Sequence, residues 1–181
     1  LRVVFYRESE GKYFPEENTI SFVAEIEKFD NGFFFNEHGL KLGVFNEMRK
    51  DKSHFSNYKT TNAAIYVLAS IYAKKNIWDD CLLLNSENNI IESSNSNLFL
   101  VKEDVIFTSP LKDGCVDGTM ISFMKSQFDV EEKSITKKDL FDANEVFLTN
   151  AMQGVKWIEK FEEKQYQSHK VAKLVFNKLN F

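Results

Sequence analysis

The sequence predicts an α+β fold with a barrel-like sheet and helices on its outer side. Short runs rich in Val, Ile, Leu and Phe recur along the 181 residues, and such runs are typical of strands. Between them lie segments whose apolar residues recur at helical spacing. Strands grouped around a few helices favour an α+β arrangement, or a sheet that curls into a barrel with outer helices.

The first predicted elements are two strands, over residues 2–7 and 20–28. Asp30-Asn31-Gly32 is a turn signal, since these residue types accept the backbone conformations that tight turns need. A helix is predicted from Thr60 to about Lys75, and Thr61 or Asn62 is expected to cap it. Lys59 would then lie just before the positive end of the helix dipole, which favours a neutral amine.

The rest of the chain is predicted to add strands and helices in alternation. The predicted strands are residues 81–84, 90–92, 98–101, 105–108, 145–149 and 155–161. The predicted helices are residues 117–127, a short turn at 137–142, and an amphipathic segment from Ser168 onward.

The composition argues against several classes of function. The net charge is -4 and the pI about 5.5, whereas nucleic acids and anionic membranes call for clustered Lys and Arg. No apolar run approaches the roughly 20 residues of a membrane-spanning helix. Cys81 and Cys115 lack metal-ligand spacing and are expected to be reduced thiols, and the three His residues are scattered. We therefore expect no metal site, no nucleic acid or membrane partner, and a cytoplasmic location.

The chain opens directly in a strand-like run, Val3-Val4-Phe5-Tyr6. It has no initiator Met and lacks the basic-then-apolar layout of a signal peptide. Natural N-termini usually begin with loosely ordered residues. We therefore expect this sequence to be part of a longer polypeptide.

Two short segments contain candidate catalytic side chains. The first is Asn57-Tyr58-Lys59-Thr60-Thr61-Asn62, although a Lys in such a place is usually a solvated surface residue. The second places Glu92 between a strand-like run and the polar stretch Ser93–Asn97. That stretch has no Gly and leads straight into Leu98-Phe99, so turn formation alone explains it poorly.

Two further segments place backbone N–H groups in loops. One joins Thr108-Ser109-Pro110-Leu111 to Gly114-Cys115-Val116-Asp117-Gly118-Thr119-Met120 and leads into a predicted helix, where a phosphate can bind. The other is Asn144–Val155, with Thr149-Asn150-Ala151 near its centre. Each of the four segments is a weak signal when taken alone.

Together and in this order, the four segments resemble the class IV aminotransferases, also called fold-type IV pyridoxal-phosphate enzymes. That family includes branched-chain aminotransferases, D-amino-acid aminotransferases and 4-amino-4-deoxychorismate lyases. Its pattern is a Lys in K-T/S-x-N, then E-x-x-x-x-N-hydrophobic-Phe, then a T-P and Gly-containing segment, then E-hydrophobic-F-hydrophobic-T-N/S-A/T. The Lys59-to-Glu92 separation, 92 − 59 = 33, also agrees. The resemblance covers essentially the whole chain.

The resemblance implies a C-terminal pyridoxal-phosphate-binding domain over residues 51–181 and the remainder of an N-terminal α/β lobe over residues 1–50. It implies pyridoxal 5'-phosphate as cofactor, a small-molecule substrate and a homodimer. In the family, the start of the N-terminal lobe supplies an Arg for the phosphate and several substrate contacts. A polypeptide that truly began at Leu1 is therefore expected not to be a competent enzyme.

Carried over residue by residue, the resemblance makes Lys59 the catalytic residue, which forms the Schiff base and moves the proton at the substrate carbon. Glu92 would face the pyridine nitrogen and keep it protonated, with Ser93–Asn97 holding it in place. The other implied cofactor-binding residues are Thr119 and Met120, through backbone N–H groups to the phosphate, and Asn150 and Ala151, on the other side of the ring.

Two further positions matter for the resemblance: one where a side chain would pack on the cofactor, and one where this chain differs from the family pattern. Val116 would pack on the face of the cofactor ring. Family members commonly carry an Arg one residue beyond the position of Met120, whereas this chain has Ile121. The sequence leaves open whether the difference affects substrate binding or only a structural ion pair.

Among the branches of the family, the sequence looks most like the aminodeoxychorismate lyases. Asn150-Ala151, the opening Leu-Arg-Val-Val and the run Gly114–Gly118 favour that branch. Glu10–Pro15 lacks the Arg and His with which D-amino-acid aminotransferases hold the substrate carboxylate. We therefore favour elimination of pyruvate to give 4-aminobenzoate, in folate biosynthesis. Branched-chain transamination, to 2-oxoglutarate, remains the second hypothesis.

Two hypotheses from other classes remain open. A non-catalytic, truncated α+β module would also explain the aromatic content, and it predicts no effect of replacing Lys59. A hydrolase that uses a carboxylate pair would need Glu92 to converge with Asp117 or Glu145 in one cleft.

Overall fold

In the computed structural model, which describes residues 1–28 and 32–180, the chain divides into two units. The first covers residues 1–32 and the second residues 33–181. Asp30 and Asn31 of the predicted turn lie outside the described residues. The division into domains at residues 1–50 and 51–181 stays a prediction.

The first unit contains an antiparallel pair of strands. β1 (Arg2–Arg7) pairs with β2 (Ile20–Glu25), with Arg2 opposite Glu25. Phe5 contacts Phe22 across the pair, and their ring centroids are 6.2 Å apart. Most side chains of both strands are exposed. β2 ends at Glu25, three residues before the predicted end.

The second unit is built around one sheet, whose six central strands close into a ring. The ring order is β10, β3, β4, β5, β6 and β9, because β9 pairs with both β6 and β10. The predicted α+β fold with a barrel-like sheet is confirmed. As far as the described residues go, its nine strands are β3 (Leu40–Val44), β4 (Asp80–Leu84), β5 (Ile90–Ser93), β6 (Asn97–Lys102), β7 (Val105–Thr108), β8 (Val130–Glu132), β9 (Glu145–Asn150), β10 (Gly154–Phe161) and β11 (Lys164–Gln165).

Helices surround this sheet. They are α1 (Ala64–Lys75), α2 (Thr119–Gln127), α3 (Lys137–Asp142) and α4 (Lys170–Leu179), with a short 3-10 helix at Leu111–Asp113. α3 begins with a capping box of Thr136 and Asp139, and Lys133 Nζ lies 2.5 Å from the Asp139 carboxylate. None of the helices formed by residues 1–28 and 32–180 has the length and apolar character needed to cross a bilayer.

The alternation of side chains along each strand explains how sheet and helices pack. All six ring strands contribute to one buried cluster, which includes Leu82 and Leu84 of β4. The alternate residues of β4, Cys81 and Leu83, point to the opposite face of the sheet and pack against α1, including Ala69. α2 and α4 cover a third cluster, whose centre is formed by β6 and β9.

The structure corrects several details of the sequence-based prediction. β3, β8 and β11 were not predicted, because they are short and carry Lys, Gly or Glu; pairing with neighbouring strands stabilises them. α1 begins at Ala64, and its N-cap Ala63 makes no side-chain capping hydrogen bond. Capping by Thr61 or Asn62 is therefore wrong. Lys59 lies four residues before the N-cap, too far for the helix dipole to act on it as expected.

Candidate active site

A buried carboxylate lies on β5. Glu92 is 3% exposed. Its Oε1 accepts hydrogen bonds from Lys50 Nζ at 2.6 Å and from the Tyr66 hydroxyl at 2.8 Å, and its Oε2 accepts one from the Val116 backbone N–H at 2.9 Å. A carboxylate has about four lone-pair positions. One position on Oε2 is therefore left for a further donor.

The loop before α2 lies against Glu92 and β6. Besides its N–H bond to Glu92, Val116 accepts a hydrogen bond at its carbonyl from Asn97 Nδ2, at 2.9 Å. Two residues later, a Cβ atom placed on Gly118 would lie 2.2 Å from Asn97 Oδ1. Glycine is therefore needed where the loop passes Asn97 and enters α2.

The N-terminus of α2 has free backbone donors. Gly118, the N-cap, makes no side-chain capping hydrogen bond. The N–H groups of Thr119 and Met120 donate to no acceptor within residues 1–28 and 32–180. Free N–H groups at a helix N-terminus carry a partial positive charge and bind anions such as phosphate.

The end of β9 lies beside the same part of β6. Thr149 pairs with Asn97, and its Oγ1 is buried without a hydrogen-bond partner in the described part of the chain. Asn150 is half-buried, and its Nδ2 donates to Ser96 Oγ at 2.9 Å. Ala151 is exposed. β9 therefore brings an unpaired hydroxyl and a fixed amide to this region.

The polar stretch between β5 and β6 is buried. Ser93, Ser94, Ser96 and Asn97 are each at most 9% exposed. Ser93 N–H donates to the Ser96 carbonyl at 2.8 Å, and Ser96 N–H donates to Ser93 Oγ at 3.1 Å. The stretch is therefore a tight hairpin turn, closed by hydrogen bonds between Ser93 and Ser96, and it connects β6 to the strand on which Glu92 lies.

Lys59 makes no hydrogen bond or ion pair with this cluster in the part of the chain that the structure describes. Its side chain is exposed and lines a cavity of about 780 Å³. The other residues that line this cavity are Lys52, Ser53, His54, Asn57, Tyr58, Leu111, Lys112, Gly114 and Asp117. None of the other predicted site residues is among them. No hydrogen bond or ion pair between Lys59 and Glu92 exists in the described residues; Lys50 is the lysine that contacts Glu92.

Backbone contacts nevertheless join the Lys59 segment to the loop that touches Glu92. The carbonyl of Asn57, two residues before Lys59, accepts a hydrogen bond from Asp117 N–H at 2.9 Å. Asn57 Nδ2 donates to the carbonyl of Cys115 at 2.6 Å. Lys59 is thus held beside the segment Cys115–Gly118. The resemblance places Lys59 and Glu92 on different sides of the cofactor ring, so it requires no direct contact between them.

Two neutral groups accompany Lys50 at the buried carboxylate. Burial, and then the charge of Glu92, raise the pKa of the Tyr66 hydroxyl far above its usual range. The same two causes raise the pKa of the Cys115 thiol to about 12. Both groups therefore keep their protons at neutral pH, and Tyr66 acts as a hydrogen-bond donor.

The carboxylate-pair hypothesis finds no matching geometry. Glu145 is buried, and its carboxylate accepts hydrogen bonds from Val171 and Ala172 N–H at the start of α4, at 3.2 and 2.7 Å. Asp117 is exposed. The three acids share no hydrogen-bond partner in residues 1–28 and 32–180, and the partners of Glu145 are backbone groups of α4.

The cluster fits the chemistry of pyridoxal 5'-phosphate. The free position on Glu92 Oε2 suits a protonated ring nitrogen, and the free N–H groups of Thr119 and Met120 suit a phosphate. The unpaired Thr149 hydroxyl is a further polar group that needs a partner. Glu92, Thr119, Met120 and Asn150 would hold the cofactor here.

The sequence analysis missed two residues of the cluster. Lys50 lies in the charged run Arg49-Lys50-Asp51-Lys52, which is typical of a solvated surface. Tyr66 follows the helical spacing of α1 and was not singled out. Only the tertiary fold brings both to Glu92.

Comparison with known proteins defines the class of this chain. The profile of the amino-transferase class IV family matches residues 1–161. The chain therefore belongs to the class IV aminotransferase family, whose members are pyridoxal-phosphate-dependent enzymes.

Relatives of two kinds are similar to the chain. The aminodeoxychorismate lyase of Vibrio harveyi is 31% identical over 126 residues, which are 67% of this chain and 46% of the relative. A candidate branched-chain-amino-acid aminotransferase of Thermotoga maritima is 35% identical over 138 residues, 72% of this chain and 49% of the relative. The crystal structure of a candidate 4-amino-4-deoxychorismate lyase from Legionella pneumophila superimposes with a TM-score of 0.75 at 28% identity, covering 89% of this chain and 60% of that one. The chain thus spans about half the length of these curated relatives.

Proposed function

We propose that this chain is the cofactor-binding part of a pyridoxal-phosphate-dependent lyase that acts on 4-amino-4-deoxychorismate. The reaction is elimination of pyruvate, which leaves 4-aminobenzoate. The observation that carries the proposal is the buried Glu92, with one free position on Oε2, next to a loop that leads into the free N–H groups of α2.

Each residue of the cluster has one role in this proposal. Bound pyridoxal phosphate supplies an aldehyde that binds amino groups and a ring that accepts electrons. Glu92 holds the proton on the ring nitrogen, and the N–H groups of Thr119 and Met120 bind the phosphate. Lys59 would hold the cofactor at its aldehyde group and would move the proton at the substrate carbon. Asn150 and Ala151 would line the other side of the cofactor ring.

The choice of lyase rests on the sequence of the loops and on similarity. Asn150-Ala151 and the run Gly114–Gly118 look like the lyase branch, and the Vibrio harveyi relative is named a lyase. Branched-chain transamination is the second candidate, because the Thermotoga maritima relative is 35% identical over 138 residues. We also propose a cytoplasmic homodimer with a small-molecule substrate, on the basis of the family resemblance and the composition.

The covalent role of Lys59 is tested by reductive trapping. The protein is incubated with pyridoxal 5'-phosphate, reduced with borohydride and digested, and mass spectrometry locates the phosphopyridoxyl group. We expect one adduct, on Lys59, and none in Lys59→Ala. Lys112→Ala serves as the control, because Lys112 is also exposed and lines the same cavity without an assigned role. An adduct on Lys50 or on Lys112 instead would refute the assignment.

Two product assays separate lyase from transaminase. Release of pyruvate from 4-amino-4-deoxychorismate is expected, and it should be lost in Lys59→Ala. Formation of glutamate from 2-oxoglutarate and a branched-chain amino acid is expected to be much slower. The reverse order of rates would favour the transaminase. A Lys59 adduct with neither product would leave the cofactor role standing and remove the proposed reaction.

A further inference from the structure

Lys50 is a buried cation with a fixed position. Its side chain is 11% exposed, and its Nζ donates to Glu92 Oε1 at 2.6 Å and to the Ser56 carbonyl at 2.9 Å. Its backbone N–H donates to the Leu84 carbonyl at 2.9 Å, which ties it to the end of β4. Lysine is rarely buried unless its charge is paired. The position of Lys50 is therefore defined by Glu92 on one side and by β4 on the other.

The donors at Glu92 are divided unequally between its two oxygens. Lys50 and Tyr66 both donate to Oε1, which fills its lone-pair positions, whereas Oε2 receives only the Val116 N–H. The carboxylate can rotate only by breaking the two bonds at Oε1. Lys50 and Tyr66 therefore decide which oxygen is left for the cofactor.

Lys50 also supplies a charge opposite to that of Glu92. The titratable groups that face the carboxylate are Lys50, Tyr66 from α1 and Cys115 from the loop before α2. Tyr66 and Cys115 keep their protons at neutral pH and are uncharged. Of the groups that the structure places around Glu92, the ammonium of Lys50 is thus the one that balances its negative charge.

We propose that Lys50 is a positioning residue, which pairs with the Glu92 carboxylate at Oε1 and turns Oε2 toward the ring nitrogen of the cofactor. This inference rests on the proposed function and goes beyond it, because Lys50 itself does not touch the cofactor. The charge-assisted hydrogen bond from the ammonium to Oε1 fixes the carboxylate, so that Oε2 would accept from a protonated ring nitrogen. Without that cation, the bond at Oε1 is weaker and Oε2 is held less firmly, so the ring would become a weaker electron acceptor.

The test compares Lys50→Gln with Lys50→Arg. Gln keeps a hydrogen-bond donor for Glu92 but removes the positive charge, and Arg keeps the charge. Lys133→Gln is the matched control, since Lys133 also pairs with a partly buried carboxylate, that of Asp139, outside the site. Folding of each variant is checked by circular dichroism. The two readouts are the dissociation constant for pyridoxal 5'-phosphate and the 15N resonance of 15N-labelled cofactor bound to the protein.

In Lys50→Gln we expect cofactor affinity to fall roughly 10-fold, because a hydrogen bond between two charged groups becomes one with a neutral donor. The 15N resonance should move toward that of an unprotonated ring nitrogen. Lys50→Arg should restore both values, and Lys133→Gln should leave both unchanged. Tyr66→Phe, which removes only the hydroxyl, should weaken binding without moving the 15N resonance, and it keeps the test informative if Lys50→Gln does not fold.

The outcomes separate this inference from the proposed function. If the wild-type protein binds no cofactor and forms no Lys59 adduct, the proposed function fails, and the inference fails with it. If the wild type binds and Lys50→Gln shows the same affinity and the same 15N resonance, only the role of Lys50 is overturned. A 15N shift in Tyr66→Phe as large as in Lys50→Gln would also overturn it, since the effect would then not depend on charge.

Discussion

Replacing Glu92 with Gln tests whether a single charge stabilises the centre of the site. The amide oxygen of Gln can still accept from Lys50 and Tyr66, but its NH2 group then faces the Val116 N–H, and that hydrogen bond is lost. Leaving a buried N–H without an acceptor costs about 1–3 kcal/mol. Lys50 also loses its counter-charge, and removing one partner of a buried pair costs up to about 3–5 kcal/mol. Because the amide oxygen still accepts, we expect the free energy of unfolding to fall by about 2–4 kcal/mol.

Urea denaturation at neutral pH, followed by circular dichroism, measures this difference. Glu87→Gln is the control, because Glu87 also lies 2.6 Å from a lysine ammonium, that of Lys52, but its side chain is 62% exposed. Exposed pairs contribute at most about 1 kcal/mol. If Glu92→Gln destabilises the protein no more than Glu87→Gln does, the electrostatic argument for the buried carboxylate is wrong.

The same substitution has a functional consequence. An amide NH2 at the Oε2 position donates a hydrogen bond and cannot hold a proton on the ring nitrogen. The phosphate contacts proposed for Thr119 and Met120 do not involve Glu92. Glu92→Gln should therefore impair turnover more than cofactor retention, as measured by product release and by cofactor absorbance. Full activity in this variant would contradict the assigned role.

Three further predictions concern packing and pH. Glu145→Gln should lower the free energy of unfolding by about 1–3 kcal/mol in urea denaturation, because this carboxylate accepts two backbone N–H groups at the start of α4; no loss would exclude the capping role. Gly118→Ala should cost about 1–3 kcal/mol, since its Cβ would meet Asn97 Oδ1 at 2.2 Å, whereas Gly32→Ala, with nothing within 4 Å, should cost at most about 0.5 kcal/mol. Burial pushes the pKa of Asp139 up, but hydrogen bonds from Lys133 and from the N-cap of α3 outweigh it, and the pKa is lowered. Its contribution to stability is therefore present above the unfolded pKa of about 3.9 and is lost as pH falls through the lower pKa of the folded state. Asp139→Asn should therefore destabilise the protein at pH 7 and converge with the wild type in acid, as measured by urea denaturation at both pH values; a difference that persists at low pH would refute the charge effect.

The elements that the sequence predicts well are those with a strong local pattern. β7 and α3 lie at the predicted residues, because Val-Ile-Phe-Thr is a run typical of strands and Thr136 with Asp139 forms a capping box. β11 has only two residues, Lys164 and Gln165, and exists because β10 supplies a partner. Local patterns cannot reveal strands that depend on pairing with distant segments.

The same limit applies to the site. Glu92 and the loop before α2 are predicted from the sequence, because an acid between a strand and a polar stretch is unusual and the loop leads into a predicted helix; their roles toward the cofactor stay predictions. The position of Lys50 could not be predicted from the sequence, because it lies in a charged run of the kind found on solvated surfaces. It is buried by α1, β4 and β5, which approach each other only in the folded chain.

Ile121 shows how a departure from the family pattern can be a matter of packing. It is 3% exposed and belongs to the apolar cluster that includes Phe99 and Phe147 and that α4 covers. An Arg there would need a buried counter-charge, and the buried carboxylate of Glu145 already accepts hydrogen bonds from the start of α4. The backbone of Ile121 donates to the Gly118 carbonyl at 2.9 Å, which closes the first turn of α2. The free N–H groups of Thr119 and Met120 precede that bond, so the change from Arg to Ile alters how α2 packs and leaves the expected phosphate contacts in place.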